Sequence, residues 1–247
     1  MKSQRTRLDR FMSRQLGIKR QAIRPIIAQG RIVVDGEVAC DVQQSIHQFS
    51  HVIFDQQVIQ NNRPRYVMLH KPRGVVSATK DNHHKTVVDL LDDSLDDLFD
   101  NNERDKLHIA GRLDFNSTGL ILLTNDGRWS RQLSSPRNNI VKRYRVELEK
   151  PVDERYIFAF SKGMYFDYEG ITTQPAQLEI ISSHVSEVYL TEGRYHQIKR
   201  MFGRFQNEVL ELHRLSIGAL NLDPQLSPGK SRELQQREVT GIFDTGK

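Results

Sequence analysis

Cysteine is almost missing. Cys40 stands alone in 247 residues, so neither an internal disulfide framework nor a cysteine-based zinc site can be built within one chain, as expected of a reducing compartment. Long apolar runs are missing too. The longest aliphatic stretch, Leu120–Leu123, has four residues, against the roughly 20 that span a bilayer, and the opening MKSQRTRLDR has no apolar signal-peptide core. The expectation is a soluble, cytoplasmic protein without a membrane partner. The nine histidines show no metal-ligand spacing, and His83 and His84 read as solvated neighbours in a polar loop. SPGKS, residues 227–231, resembles the end of a phosphate-binding loop, but Pro224 stands where the required earlier glycine would be, which removes the backbone cradle.

Charge, by contrast, is abundant and unevenly placed. The net charge is +5 and the isoelectric point about 9.3, a balance compatible with an anionic partner. Residues 1–31 carry nine Lys/Arg, including Arg7, Arg20, Arg24 and Arg31, against Asp9 alone. Eight acids against Arg104 follow over residues 89–105, then six Lys/Arg and no acid over residues 128–145. Such polarity suits a polyanion held along chosen surfaces, while the acidic run itself reads as a solvated face. The length fits a large domain with a small appendage.

Thr6 and Asp9 have capping-box spacing, and Leu8, Phe11, Met12 and Leu16 recur at helical intervals. A second helical stretch with Ile23, Ile26 and Ile27 ends near Gly30, with Pro25 in its first turn or at a kink. RIVVDGEV then reads as a hairpin around Asp35-Gly36. Helix, helix, hairpin with basic helices resembles the S4 RNA-binding module, although Lys19 replaces the helix-capping Ser or Thr common there. The expected organisation is an S4-like domain over residues 1–60, a linker over 61–65 within a polar stretch that starts at residue 55, and a second domain over 66–247.

In that second domain Tyr66–His70, Val75–Ser77, His108–Leu113 and Gly119–Thr124 are strand candidates, and Asn125-Asp126-Gly127 breaks the chain and can cap a short helix through Trp129 and Leu133. KRYRVEL alternates Tyr144, Val146 and Leu148 with charged residues, the period of a half-buried strand, so Tyr144 faces inward. In EGRYHQIKRMFGRF, Ile198, Met201, Phe202 and Phe205 make one helical face and turn Lys199, Arg200 and Arg204 to its margins. Strand follows strand without regular helical crossovers, which implies an α+β domain around a mixed, largely antiparallel sheet flanked by helices.

GRLDFNSTGLILLTNDG, residues 111–127, sets Asp114 before a Ser-Thr-Gly corner. Alone, that pattern is most simply a turn or cap aspartate. Followed by KRYRVEL and EGRYHQIKRMF, with LHKPRG and ELHRLSIGAL besides, it resembles in order and spacing the motifs of the RNA pseudouridine synthases across residues 65–235. PRYVMLHKP, RYHQIKRMF and VLELHRLSIGAL are most similar to the branch acting on small-subunit ribosomal RNA. The resemblance implies isomerisation of a flipped-out uridine in 16S ribosomal RNA, of the uridine-516 type, with no cofactor and no metal, by a monomer working on RNA or an assembling ribosomal particle. It makes Asp114 the catalytic carboxylate, Lys199 the cation that keeps it ionised and Tyr144 the aromatic that stacks on uracil or moves a proton at C5. Ile198 closes the pocket floor, Arg112 holds backbone or phosphate, and Arg194, His196 and Arg200 join Arg7, Arg20, Arg24 and Arg31 as RNA contacts. Two other readings remain open: a large-subunit enzyme of the same family, and a non-catalytic ribosomal RNA-binding or assembly factor. A nucleoside glycosidase would need no RNA-binding module and usually a second carboxylate about 5–9.5 Å from the first.

Overall fold

The computed structural model describes residues 5–91 and 104–244; most of the acidic run lies outside them. Two compact units result, residues 1–64 and 65–247.

In the first, β1 (Thr6–Arg7) leads directly into α1 (Leu8–Leu16), which ends at Gly17 in a left-handed cap (φ 66°). Thr6 does not cap α1. It lies in β1, which pairs with β4 (Ser45–Ile46), and Asp9 bonds instead to Arg7, Arg20 and the amide of Arg10. A 3₁₀ turn over Arg20–Ala22 starts the second helix, α2 (Ile23–Ala28), where Pro25 occupies the first turn and so leaves the helix unkinked. The hairpin forms as expected: β2 (Ile32–Val34) and β3 (Glu37–Val38) flank Asp35 and Gly36, both at positive φ. β5 (Val52–Phe54) and β6 (Gln57–Gln60) complete a four-stranded sheet. The polar stretch taken as the start of a linker thus contains an edge strand, whose outer residues meet water and need no apolar alternation. Leu8, Met12, Ile23, Ile32 and Val52 form the buried core of this unit.

The second unit is built on a nine-stranded sheet among the described residues. Its strands are β7 (Tyr66–Lys71), β8 (His108–Ala110), β9 (Thr118–Thr124), β10 (Lys142–Leu148), β13 (Gln177–Ser182), β14 (Val185–Leu190), β15 (Val209–Ile217), β16 (Leu220–Asn221) and β17 (Ser231–Glu233), with β11 (Tyr165–Phe166) and β12 (Ile171–Thr172) as a separate ribbon. All pairings in the large sheet are antiparallel except β9 with β15. Among the described residues four helices accompany it: α3 (Gly127–Ser134), capped by Asp126 of the Asn125-Asp126-Gly127 break, α4 (Glu154–Lys162), α5 (Gln197–Gly203) and α6 (Gln236–Gly241). The architecture is α+β. Two expected strands shrink: Val75–Ser77 keeps only an isolated bridge, Val76 to Thr86, and His108–Leu113 stops at Ala110 because Gly111 turns to φ 92°.

β9 positions the site. Along one edge it pairs with β7, and its other edge is shared between β15, at Thr118 and Gly119, and β8, at Leu122–Thr124. The chain leaving β8 must therefore loop past β15 before it re-enters as β9, and Asp114 is on that loop.

Candidate active site

The loop is anchored at both ends. Leu113 is buried with Tyr144 and Ile198 in one apolar cluster, and its amide and carbonyl bond to Ser77 Oγ at 3.1 and 2.6 Å. Asp114 then turns outward, its carbonyl accepting the Ser117 amide at 3.0 Å. Its side chain is 28% exposed, with Oδ1 3.5 Å from His196 Nε2. A carboxylate so placed is reachable from solvent yet rests on packed backbone.

Two fully buried cations hold that backbone. Lys71, at the end of β7, donates to the carbonyls of Pro72, Phe115 and Ser117 at 3.1, 3.1 and 2.7 Å. Arg214, from β15, donates to those of Leu120, Gly111 and Arg112 at 2.7, 2.8 and 3.3 Å. The six carbonyls lie on the β7 turn and on both flanks of Asp114, and neither cation has a carboxylate in contact among the described residues. Burial pushes the Lys71 ammonium down to about 8; the Asp114 charge opposes that fall and the Arg214 charge adds to it. Lys71 and Arg214 were legible as parts of LHKPRG and ELHRLSIGAL but not as site residues. The available signal was periodicity, since Leu212, Arg214 and Ser216 alternate inward along β15.

Tyr144 faces inward on β10, 8% exposed, with the Arg214 guanidinium 6.0 Å from its ring centre. Ile198, Met201 and Phe202 bury their face of α5 in the same cluster, and Phe205, past the helix end, stacks on Tyr156 at 4.0 Å. The cationic residues around α5 differ from expectation. The basic side chain within ion-pair reach of Asp114 is His196, whereas Lys199 is half-buried and makes no ion pair or hydrogen bond among the described residues. It follows the buried Ile198 on the seven-residue α5. Arg200 lies over the Phe166 ring at 3.7 Å and bonds Glu169 at 2.7 Å. Arg194 pairs with Glu192 at 3.0 Å, and the buried Gln197 ties Glu192 to the Arg194 amide. Arg112 is exposed, with no side-chain partner among the described residues. His84 is not simply solvated: its ring meets the exposed Phe115 edge-on at 5.1 Å.

Comparison with known proteins places the chain in a family. Residues 65–203 match the family model of RNA pseudouridylate synthase, and residues 6–53 that of the S4 domain. The chain belongs to the RNA pseudouridine synthase family. Ribosomal small subunit pseudouridine synthase A of Pseudomonas aeruginosa is 48% identical to it over 96% of this chain and 100% of that protein. The enzyme of the same name from Escherichia coli K12 is 40% identical over 96% and 99%. A crystal structure of a pseudouridylate synthase superposes with a TM-score of 0.67 at 36% identity, covering 96% of this chain and 99% of that one.

In the S4 domain the expected RNA contacts divide in two. Arg7 and Arg20 both reach Asp9, at 3.0 and 2.7 Å; burial disfavours the Asp9 charge, but the bonds from Arg20 and the Arg10 amide outweigh it and hold the carboxyl below its usual range. Arg31 pairs with Asp55 and lies 5.0 Å from the Phe54 ring centre. Arg24 is exposed without an acid partner among the described residues, as are Arg10, Arg14 and Lys19. Those four cations on and between the two helices are open to phosphate.

Proposed function

We propose that this pseudouridine synthase isomerises one uridine of small-subunit ribosomal RNA, of the uridine-516 type, with Asp114 as its catalytic carboxylate. The observation that carries the reading is the state of Asp114: a reachable carboxylate on a loop whose flanking carbonyls are fixed by Lys71 and Arg214. The names and identities of the relatives support the choice of RNA.

The reaction breaks the C1′–N1 bond, turns the uracil and joins C1′ to C5; C5 releases its proton and N1 takes one up, so atoms balance without a redox step. An ionised Asp114 beside the sugar serves attack at C1′, addition to the base, or removal of a ribose proton. Preorganisation matters in each, because a loop already held needs no reordering when the nucleotide arrives. Tyr144, packed in the same cluster as Leu113, offers an aromatic face and a hydroxyl to the base. The target must leave its stack to reach this pocket, and the S4 domain contributes affinity through phosphate contacts. The protein acts in the cytoplasm as a monomer, on RNA or on an assembling particle.

Mapping pseudouridines in ribosomal RNA from cells lacking the gene tests the substrate. The expected result is one missing site, in the small subunit, restored by the parental gene. Loss confined to large-subunit RNA would overturn the substrate while leaving the enzyme class intact.

A further inference from the structure

Beside Asp114 lies an aromatic pair that the chemistry does not use. Tyr195 and His196 are stacked face to face, ring centres 3.9 Å apart and planes within 17°. His196 is the inner member, 3.5 Å from Asp114. Tyr195 is the outer member, 73% exposed. Because one face of Tyr195 is covered by a parallel ring, its exposure falls on the opposite face, and that face continues the stack outward from Asp114. Such a ring offers a flat apolar face to a planar partner while its hydroxyl stays in water.

The pair is held in place. His196 adopts φ 50°, ψ 32°, a left-handed conformation uncommon for a residue with a Cβ. The Tyr195 carbonyl accepts Arg200 Nη1 at 3.3 Å, and the Arg194 amide before it donates to the buried Gln197. The other exposed aromatic near Asp114, Phe115, meets His84 edge-on at an interplanar angle of 70°, so that pair does not extend as a column of parallel rings. Two cations close to this pair and to Asp114 in the chain, Arg112 and Lys199, have no ion pair among the described residues and are available to a phosphate backbone.

We infer that the Tyr195–His196 stack is a nucleobase platform: the base next to the target uridine leaves its own stack and lies on the open face of Tyr195 while the uridine enters the Asp114 pocket. The inference rests on the proposed role of Asp114 for the direction of the strand. Stacking accepts any base, so the platform favours substrates whose nucleotide beside the target is unpaired, more than any particular sequence.

The test places 2-aminopurine, fluorescent and quenched by stacking, immediately 5′ or 3′ of the target uridine in a small-subunit ribosomal RNA transcript, with a control several nucleotides away. Full-length Asp114→Asn protein is used, so that the reading does not depend on turnover. One adjacent probe should change intensity on binding, the change should vanish in Asp114→Asn/Tyr195→Ala and persist in Asp114→Asn/Tyr195→Phe, and the distant probe should report no difference. In the otherwise parental enzyme, Tyr195→Ala should raise KM by about tenfold with little change in kcat, and Tyr195→Phe should restore it. An unchanged probe signal and KM in Tyr195→Ala would overturn the platform. Full activity of Asp114→Asn, by contrast, would remove the catalytic assignment while the probe still reported on Tyr195.

Discussion

Lys71 and Asp114 carry opposite charges on adjoining stretches of backbone and have opposite access to water. The lysine is fully buried with its ammonium on three carbonyls, and the aspartate stands at the surface of the same loop. Burial lowers the Lys71 pKa from 10.5 to about 8. Between those values the unfolded chain binds a proton the folded one does not, so stability must rise with pH across the window, by about 3 kcal/mol in all. Urea unfolding at several pH values checks this: the parental protein should gain stability relative to Lys71→Met from pH 8 upward, and parallel curves would contradict it. At neutral pH Lys71→Met should still be destabilised, because three buried carbonyls lose their donor. Residues of this kind are hard to read from sequence. Asp114 announced itself by its corner and its neighbours, but that Lys71 and Arg214 meet the same loop depends on β7 and β15 flanking β9, which no local pattern encodes.

β9 shows what close approach between elements demands. Gly119 has φ +105°, and a Cβ built there would lie 2.3 Å from the Arg214 carbonyl oxygen, across the one parallel pairing of the sheet. Gly119→Ala should lower unfolding stability by roughly 3 kcal/mol, through strain and loss of the β9–β15 contact, and should reduce activity with it because Arg214 carries the Asp114 loop. Gly193 is a fair control: space around it is open and its φ is not positive, so Gly193→Ala should unfold near the parental urea midpoint. Equal midpoints for both variants would refute the argument. Where an element has one buried face it was legible, as in β10 and α5, whose periods of 2.0 and 3.6 foretold the inward Tyr144 and Ile198. Where tertiary context decides, it was not. Gln57–Gln60 is a strand only because β5 offers it an edge, and Val75–Ser77 lacks a partner beyond one bridge.

At the scale of the whole molecule, binding is distributed and chemistry is not. Arg10, Arg14, Lys19 and Arg24 stand exposed on the S4 domain without an acid partner among the described residues, and each phosphate contact they made would add roughly 0.7–0.9 to the slope of log affinity against log salt. Removing residues 1–60 should weaken RNA binding and flatten that slope while the remaining unit, with its own cores, stays folded; unchanged affinity and slope would rule out the S4 domain as an RNA contact. Asp114, by comparison, is a single group in the proposed RNA surface. Asp114→Asn keeps its size and most of its hydrogen bonding but removes the ionised oxygen, so filter binding of ribosomal RNA should stay within a few-fold of the parent. The decisive measurement is tritium release from RNA labelled at uracil C5, which reports substitution at that carbon directly. The account predicts none above background for Asp114→Asn, and release at the parental rate would contradict it.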